Sequence, residues 1–246
     1  MTTNDQFGYI INGGNDVPAA CFLNSLAREC SAIQIVENQY GAYYLIPLGD
    51  EGEIQITLSY VSSVGLHEYR FPAVLYAEEA VTVGFEQILC RVLDQPALVG
   101  VISEEQRNIF LERVTESYIN TYTGVSRSPY AERLFSEALN FQQAEQGLLI
   151  GHSFHPAPKS REQFSAEDAK TYSPELGGEF PLLWLAVNHS ILMSGSSGEK
   201  TAAERLDELV FADQMLALAI NGIVNENESV FPVHPWQWKV LQEKED

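Results

Sequence analysis

The chain has 246 residues, of which 45% are hydrophobic and 20% are charged, and its formal net charge is −20. This length suits one large domain or two small ones, and the composition allows a buried core and argues against global disorder. Because so acidic a surface repels nucleic acid and anionic membranes, neither is expected as a partner.

Several absences in the sequence point to one compartment. The first residues lack the basic and apolar regions of a secretory signal. The apolar stretch 180–193 contains polar residues and is too short to cross a bilayer. Cys21, Cys30 and Cys90 are odd in number and widely spaced, so buried reduced thiols are expected rather than a disulfide framework. We therefore predict a cytoplasmic protein.

The first half of the chain predicts one helix, a run of strands and then further helices. Pro18 suits a first helical turn, and apolar residues follow it at helical spacing. Runs rich in β-branched and aromatic residues predict antiparallel strands over 33–36, 42–47, 54–61 and 71–76. Helices are predicted over 77–93 and from a capping box at Ser103 to near Gly124. This order favours an α+β fold with an antiparallel meander packed on helices.

The second half predicts a mixture of helices and strands. A helix over 129–147 is expected to stop at Gly147, and a short helix over 165–172 has Ser165 and Asp168 in capping-box positions. A buried strand is predicted over 180–187, a single helix over 200–220 and a strand over 230–233. Glycine, serine and proline cluster near residue 127, which favours a boundary between domains at 1–127 and 128–246.

The segment 151–161 gathers positive charge in an acidic chain. It holds two of the five histidines, and Lys159 and Arg161 are two of only fourteen lysines and arginines. Arginine offers a rigid fork of donors to phosphate oxygens, lysine a mobile point charge, and Ser160 adds a hydroxyl. Two interpretations stay open from chemistry alone. The segment is either a preorganised anion site or a surface loop whose cations pair with Glu162, Glu167 or Asp168.

Two motifs in the second half follow an order found in a known family. The first reads Gly-His-x-x-His-Pro-x-x-Lys-x-Arg over 151–161 and is followed by Phe-Ser at 164–165 and Tyr-x-Pro-Glu at 172–175. The second reads His-Pro-Trp-Gln at 234–237, after Leu-Trp-Leu-Ala-Val at 183–187. With both motifs in this order, the stretch 151–237 resembles the IucA/IucC family of siderophore synthetases, which work independently of non-ribosomal peptide synthetases.

The resemblance implies an ATP-dependent ligase. Such enzymes use ATP and Mg²⁺ to activate a carboxylate of citrate or a citrate derivative as an acyl-adenylate. An amine or hydroxyl of a polyamine or amino alcohol then displaces AMP. The residues expected to contact the ATP phosphates or the adenylate are His152, His155, Lys159, Ser160 and Arg161. Those expected to line or support the substrate side of the same cavity are His234 and Gln237. No general base is assigned.

The resemblance also implies an architecture. Family members resemble a cupped hand, so 1–127 is expected to be thumb-like and 128–246 to begin a fingers-like domain. The palm domain, with much of the nucleotide and carboxylate site, comes from later sequence in the family and is expected to be absent here. On this view the 246-residue chain alone is inactive. Members of the family often form dimers, so a homodimer is one expected state.

Three alternatives compete with this interpretation. The pair His152 and His155 has a spacing seen in metal hydrolases, although the prolines of the loop argue against the helix that such a site needs. The segment 195–201 resembles a phosphate-binding loop but has Glu199 between its glycine and lysine, so a connector is favoured. The chain could also be a non-catalytic fragment that acts only by binding and association.

Overall fold

A computed structural model describes residues 16–134, 136–161 and 163–243. The fold is α+β with antiparallel sheets, as predicted. It consists of two compact units, which divide between Gly178 and Glu179. Within the described ranges, no helix is long and apolar enough to cross a membrane.

The first unit is built on an antiparallel sheet whose strands lie in sequence order. These are β1 (Gln34–Asn38), β2 (Gly41–Pro47), β3 (Glu53–Tyr60), β4 (Glu68–Tyr76) and β5 (Ala80–Val83). Alternate residues of β4 are buried and exposed, which is the pattern of a sheet with one face on a core. The predicted meander is therefore confirmed and gains a fifth strand.

Helices cover one face of this sheet: α1 (Val17–Glu29), α2 (Phe85–Leu93), α3 (Pro96–Val99) and α4 (Glu104–Arg127). Helix α1 begins where the Asp16 carboxylate accepts a hydrogen bond from the Ala19 amide at 3.1 Å. Helix α4 begins at the predicted capping box of Ser103 and Gln106. Phe85 of α2 and Tyr118 of α4 stack in the core, with their ring centroids 5.0 Å apart.

Two helices predicted in this unit are shorter than expected. The predicted helix over 77–93 divides into β5 and α2 because the β-branched residues 81–83 pair with β4 and Gly84 then caps the helix. Among the described residues of the predicted helix over 129–147, which exclude 135, only α5 (Phe141–Gln146) is helical. It starts anew at Asn140, whose side chain accepts from the Gln143 amide at 2.9 Å.

The first unit continues to α6 (Ala166–Tyr172) and a 3₁₀ turn (Pro174–Leu176). Ser165 and Asp168 form the predicted capping box of α6. Helix α4 ends where the sequence predicted a domain boundary, yet residues 128–178 belong to the same compact unit as the sheet. The division into thumb-like and fingers-like domains at 127 stays a prediction, since compactness alone does not define those functional domains.

The second unit is a two-stranded antiparallel sheet with helices. Its elements are β6 (Leu183–Asn188), α7 (Ala202–Phe211), α8 (Gln214–Asn221), β7 (Glu228–Val233) and α9 (Pro235–Gln242). The helix predicted over 200–220 is two helices, because the Asp213 carboxylate accepts from the amides of Met215 and Leu216 and starts α8. The strand predicted to be buried is half-exposed along β6.

Candidate functional site

The loop 151–161 folds back on itself and is anchored in the first unit. Gly151 has a φ of +84°, which favours glycine, and a Cβ added there would lie 3.0 Å from the Cβ of Pro158. Ala157 is buried in the main core. The loop is therefore seated by packing at its middle and turns tightly at its start.

Helix α4 holds the basic end of this loop by its backbone. Ser117 Oγ accepts from the Lys159 amide at 2.9 Å, and Asn120 Nδ2 donates to the Lys159 carbonyl at 2.8 Å. One oxygen of Glu116 accepts from the Ser160 hydroxyl at 2.7 Å and from the Arg161 amide at 3.1 Å. Because α4 supplies all of these hydrogen bonds, it fixes the backbone positions of Lys159 and Arg161, from which the two charged side chains extend.

The side chains of both cations meet a buried carboxylate. Arg161 Nη2 donates to Glu175 Oε1, and Lys159 Nζ lies 3.6 Å from the same oxygen. Lys159 Nζ also donates to the Leu148 carbonyl at 2.8 Å. The Glu175 side chain is 3% exposed, against 12% for Lys159 and 18% for Arg161. The carboxylate thus lies deepest, and both cations lie closer to solvent.

These contacts set the charge states of the cluster. Burial opposes ionisation of Glu175, but the hydrogen bond from Arg161 and the two positive charges outweigh it and lower the pKa of Glu175. Burial lowers the pKa of Lys159, while the charge of Glu175 acts in the opposite direction. The cluster therefore keeps an ionised carboxylate beneath two cations, with one positive charge in excess when Lys159 is protonated.

A cavity of about 400 Å³ opens beside this cluster. It is lined by Gly151, Lys159, Arg161 and Glu175, among others. A second cavity, of about 520 Å³, is lined by Ser160, Arg161 and Glu116 with neighbours on α4. Arg161 thus borders both spaces, and its planar guanidinium suits bidentate contact with an oxyanion in either.

The two loop histidines share one local arrangement. His152 Nδ1 accepts from the Phe154 amide at 3.2 Å, and His155 Nδ1 accepts from the Ala157 amide at 3.0 Å. An accepting Nδ1 places the proton of a neutral imidazole on Nε2, so each ring becomes a donor through that atom. Both histidines are exposed. The arrangement suits hydrogen bonding to an anion better than metal ligation through Nδ1.

The second motif lies in the other compact unit. His234 caps α9, and its Nδ1 accepts from the Trp236 amide at 3.1 Å, so it repeats the arrangement of the loop histidines. Gln237 lies on the exposed side of α9. Phe180 packs its ring edge against His234, with the ring centroids 4.3 Å apart. His234 and Gln237 are thus close in the chain and in space, and both belong to the second unit.

Glu175 and Glu116 are the residues that sequence reasoning left without a role. Glu175 was part of the Tyr-x-Pro-Glu motif, and that was its only signal. Among the carboxylates that the sequence offered as partners of the loop cations, Asp168 accepts from the Ser165 amide at 3.0 Å in the capping box of α6, and Glu162 lies outside the described residues. Arg161 pairs with Glu175, which is 14 residues away and belongs to the 3₁₀ turn.

The structure also bears on the predicted alternatives of a metal site and of a phosphate-binding loop at 195–201. Across residues 16–134, 136–161 and 163–243, no group of three or more His, Cys, Asp or Glu side chains could hold a metal ion. In the segment 195–201, Thr201 caps α7 in a capping box with Glu204, and Lys200 pairs with Glu208. Those contacts give Lys200 and Thr201 roles at the start of a helix.

Comparison with known proteins agrees with the motifs. Residues 140–245 match the model of the IucA / IucC family. An N(2)-citryl-N(6)-acetyl-N(6)-hydroxylysine synthase of Vibrio mimicus is 50% identical over 231 residues, which are 93% of this chain and 39% of that protein. The synthase of the same name from Escherichia coli is 34% identical over 92% of this chain and 39% of its own length.

A solved structure is similar over the same extent. ATP-bound aerobactin synthetase IucA from a hypervirulent pathotype of Klebsiella pneumoniae has a TM-score of 0.79 and 33% identity, and the match covers 93% of this chain and 40% of that chain. The α+β fold and both motifs therefore place this chain in the IucA/IucC family of siderophore synthetases. It spans about two fifths of the length of these relatives.

Proposed function

We propose that this chain forms the ATP-binding wall of a synthetase that adenylates a carboxylate of citrate or a citrate derivative and condenses it with an amine or hydroxyl. The observation that carries the proposal is the anchored loop 151–161, which presents Lys159 and Arg161 at a cavity in a chain of net charge −20. The similarity to an ATP-bound synthetase supports the choice of nucleotide.

The residues of the loop would serve phosphate chemistry in distinct ways. Arg161 and Lys159 would counter the charge that develops when a carboxylate oxygen attacks the α-phosphorus and pyrophosphate leaves. His152 and His155 would donate through Nε2. The Ser160 hydroxyl donates to Glu116 in this structure, so it would add a neutral donor by turning from Glu116 to the phosphates. The amine or hydroxyl would then attack the acyl carbon, and AMP would leave.

Magnesium has its place in this proposal with the nucleotide. Mg²⁺ would enter bound to the phosphates of ATP and would help to neutralise their charge. His234 and Gln237 would contact the carboxylate or amine substrate, where imidazole and amide donors suit a carboxylate oxygen. Citrate-type carboxylates are a proposed substrate class because the names of the similar synthases contain a citryl group joined to a hydroxylysine derivative. Polyamine or amino-alcohol nucleophiles are proposed because the family resemblance implies them.

Release of AMP and pyrophosphate tests the proposal. The 246-residue chain and a form of the relatives' length should each be incubated with ATP, Mg²⁺, citrate and a panel of amines. We expect the longer form to release both products and the 246-residue chain to bind ATP without turnover, since this chain spans only 39% of a similar synthase. An inert longer form would contradict the proposed reaction.

A further inference from the structure

Glu175 lies beneath the two cations that the proposed function assigns to ATP. Its Oε1 accepts from Arg161 Nη2 and lies 3.6 Å from Lys159 Nζ. The carboxylate is the least exposed of the three side chains. Glu175 borders the cavity of about 400 Å³ together with both cations, but its side chain exposes the least surface of the three, so an anion in that cavity would meet mainly the cations.

Helix α4 makes room for this carboxylate. A Cβ added at Gly124 would lie 3.2 Å from Glu175 Cγ and 3.5 Å from the Leu149 carbonyl oxygen. Glycine at this helical position allows the Glu175 side chain to pass close to the backbone of α4. The same helix holds the backbone of Lys159 through Ser117 and Asn120. The carboxylate and the cationic loop are thus both fixed against one rigid element.

We infer that Glu175 is a positioning residue, which orients Arg161 and Lys159 toward the phosphates without contacting the nucleotide itself. Arginine carries five N–H donors in a planar fork, so one contact with Glu175 fixes the plane in which the remaining donors point. A flexible arginine would lose side-chain entropy on binding, whereas an anchored one has already lost it. The inference rests on the proposed function, because it assumes that these cations meet phosphate.

Coulomb's law alone predicts the opposite effect of removing Glu175. A negative charge beside an anion site repels the anion, so Glu175→Gln should tighten ATP binding if charge were the only factor. If Glu175 positions the cations, the same substitution should weaken ATP binding despite the loss of a repelling charge. The sign of the change therefore separates the two accounts.

The first experiment measures binding of ATP with Mg²⁺ by calorimetry. We expect Glu175→Gln to weaken ATP binding by about tenfold and Glu175→Asp to recover part of that loss, since the shorter carboxylate still accepts from Arg161. The control is Glu137→Gln, which removes a carboxylate from the exposed ion pair with Arg133 and should leave ATP binding unchanged. Unchanged or tighter binding by Glu175→Gln would overturn the inference.

A second variant changes the position of Glu175 without changing any charge. Gly124→Ala should weaken ATP binding by about threefold, because the new methyl group presses on Glu175 Cγ, while alanine is a better helix former than glycine. The control is Gly84→Ala, where an added Cβ meets nothing within 4 Å. Equal affinities for Gly124→Ala and wild type would count against positioning.

A third measurement needs no nucleotide. In wild-type protein, an anchored Arg161 should give resolved, slowly exchanging guanidinium signals in ¹H–¹⁵N NMR, and Glu175→Gln should average them. Averaged signals already present in wild type would overturn the inference. A different result would contradict the proposed function: wild type would not bind ATP, or Arg161→Ala would bind ATP with unchanged affinity. In that case the NMR signals would still report whether Glu175 anchors Arg161.

Discussion

The two compact units differ in how much apolar surface they bury. The first unit packs a continuous core in which Leu23, Tyr44, Ile56 and Val92 are fully buried. In the described part of the second unit, up to residue 243, the core cluster has three buried residues: Val210, Ile220 and Val230. The second unit also leaves large apolar side chains exposed, among them Ile191, Met193, Leu209, Phe211, Met215 and Leu218. A two-stranded sheet with so small a core is marginally stable alone, so the first unit should dominate the stability of this chain.

The same difference separates the two sets of site residues. In the first unit, Lys159 and Arg161 are held by partners far along the chain, on α4 and at Glu175. In the second unit, His234 accepts a hydrogen bond from the amide two residues later and packs against the ring of Phe180. Hydrogen bonds and ion pairs from distant residues orient a polar side chain for binding more strictly than an apolar ring contact does. We therefore expect the loop 151–161 to contribute more to the free energy of ATP binding than the His-Pro-Trp-Gln motif.

A pair of core substitutions tests the difference in stability. Ile56→Ala should lower the free energy of unfolding of the first unit by about 3 to 4 kcal/mol, the cost of a buried cavity, and Val230→Ala should lower that of the second by about 1 kcal/mol. All three tryptophans, at 184, 236 and 238, lie in the second unit. In urea titrations, tryptophan fluorescence therefore reports the second unit and far-ultraviolet circular dichroism reports both units. For Ile56→Ala, the unfolding midpoint should shift more by circular dichroism than by fluorescence. Equal shifts of the unfolding midpoint in both signals would contradict the difference in stability between the two units.

Asp16 makes the stability of the first unit depend on pH. Burial raises the pKa of Asp16 to about 6, although hydrogen bonds from Tyr118 and the Ala19 amide lower it in part. The folded state therefore binds this proton more tightly than the unfolded state, whose pKa is near 3.8. The contribution is fully present below pH 4 and is lost as the pH rises through 6, by up to about 3 kcal/mol.

The measurement for Asp16 is a difference between two proteins. The free energy of unfolding of wild type minus that of Asp16→Asn, from urea titrations between pH 4 and pH 7, should fall across this window. Asparagine keeps an acceptor for the amide that Asp16 caps, so the helix start should survive. The opposite titration of Glu175 is common to both proteins and cancels. A flat difference would show that Asp16 is not desolvated as described.

Paired substitutions test the difference between the two motifs. Arg161→Ala should weaken ATP binding by about 1.5 to 3 kcal/mol, the scale of a hydrogen bond to a charged group. Gln237→Ala should change ATP binding by less than about 0.5 kcal/mol, since Gln237 is proposed to serve the other substrate. Calorimetry with ATP and Mg²⁺ measures both. Equal losses, or an unchanged affinity in Arg161→Ala, would remove the assigned roles.

The smallest expected effect concerns the histidines that accept through Nδ1. His155→Asn should change the free energy of unfolding by less than about 0.5 kcal/mol, because the asparagine oxygen can accept from the Ala157 amide in the same way. NMR of ¹⁵N-labelled histidine in wild type should show the Nε2–H tautomer at His152, His155 and His234. A proton on Nδ1 of these rings would contradict the geometry.

Much of the first unit follows from local sequence signals. Runs rich in β-branched and aromatic residues predicted β1 to β4, and Ser103 with Gln106 predicted the start of α4. Three predicted helices are interrupted in the structure, over 77–93, 129–147 and 200–220, and two of these breaks show what propensity did not resolve. The residues 81–83 become a strand because β4 offers them a partner, and Asp213 interrupts a continuous apolar pattern by capping a second helix.

The α+β fold class, the order of the motifs and their family could be predicted from the amino-acid sequence, because they depend on residue types at fixed spacings. The pairing of Arg161 with Glu175, and the hydrogen bond that Glu116 accepts from the loop 45 residues away, became visible only in the folded chain. No periodicity links such residues, since their meeting depends on the path of α4 and of the 3₁₀ turn. Burial, which turns a carboxylate into an anchor for two cations, is likewise a property of packing and not of sequence spacing.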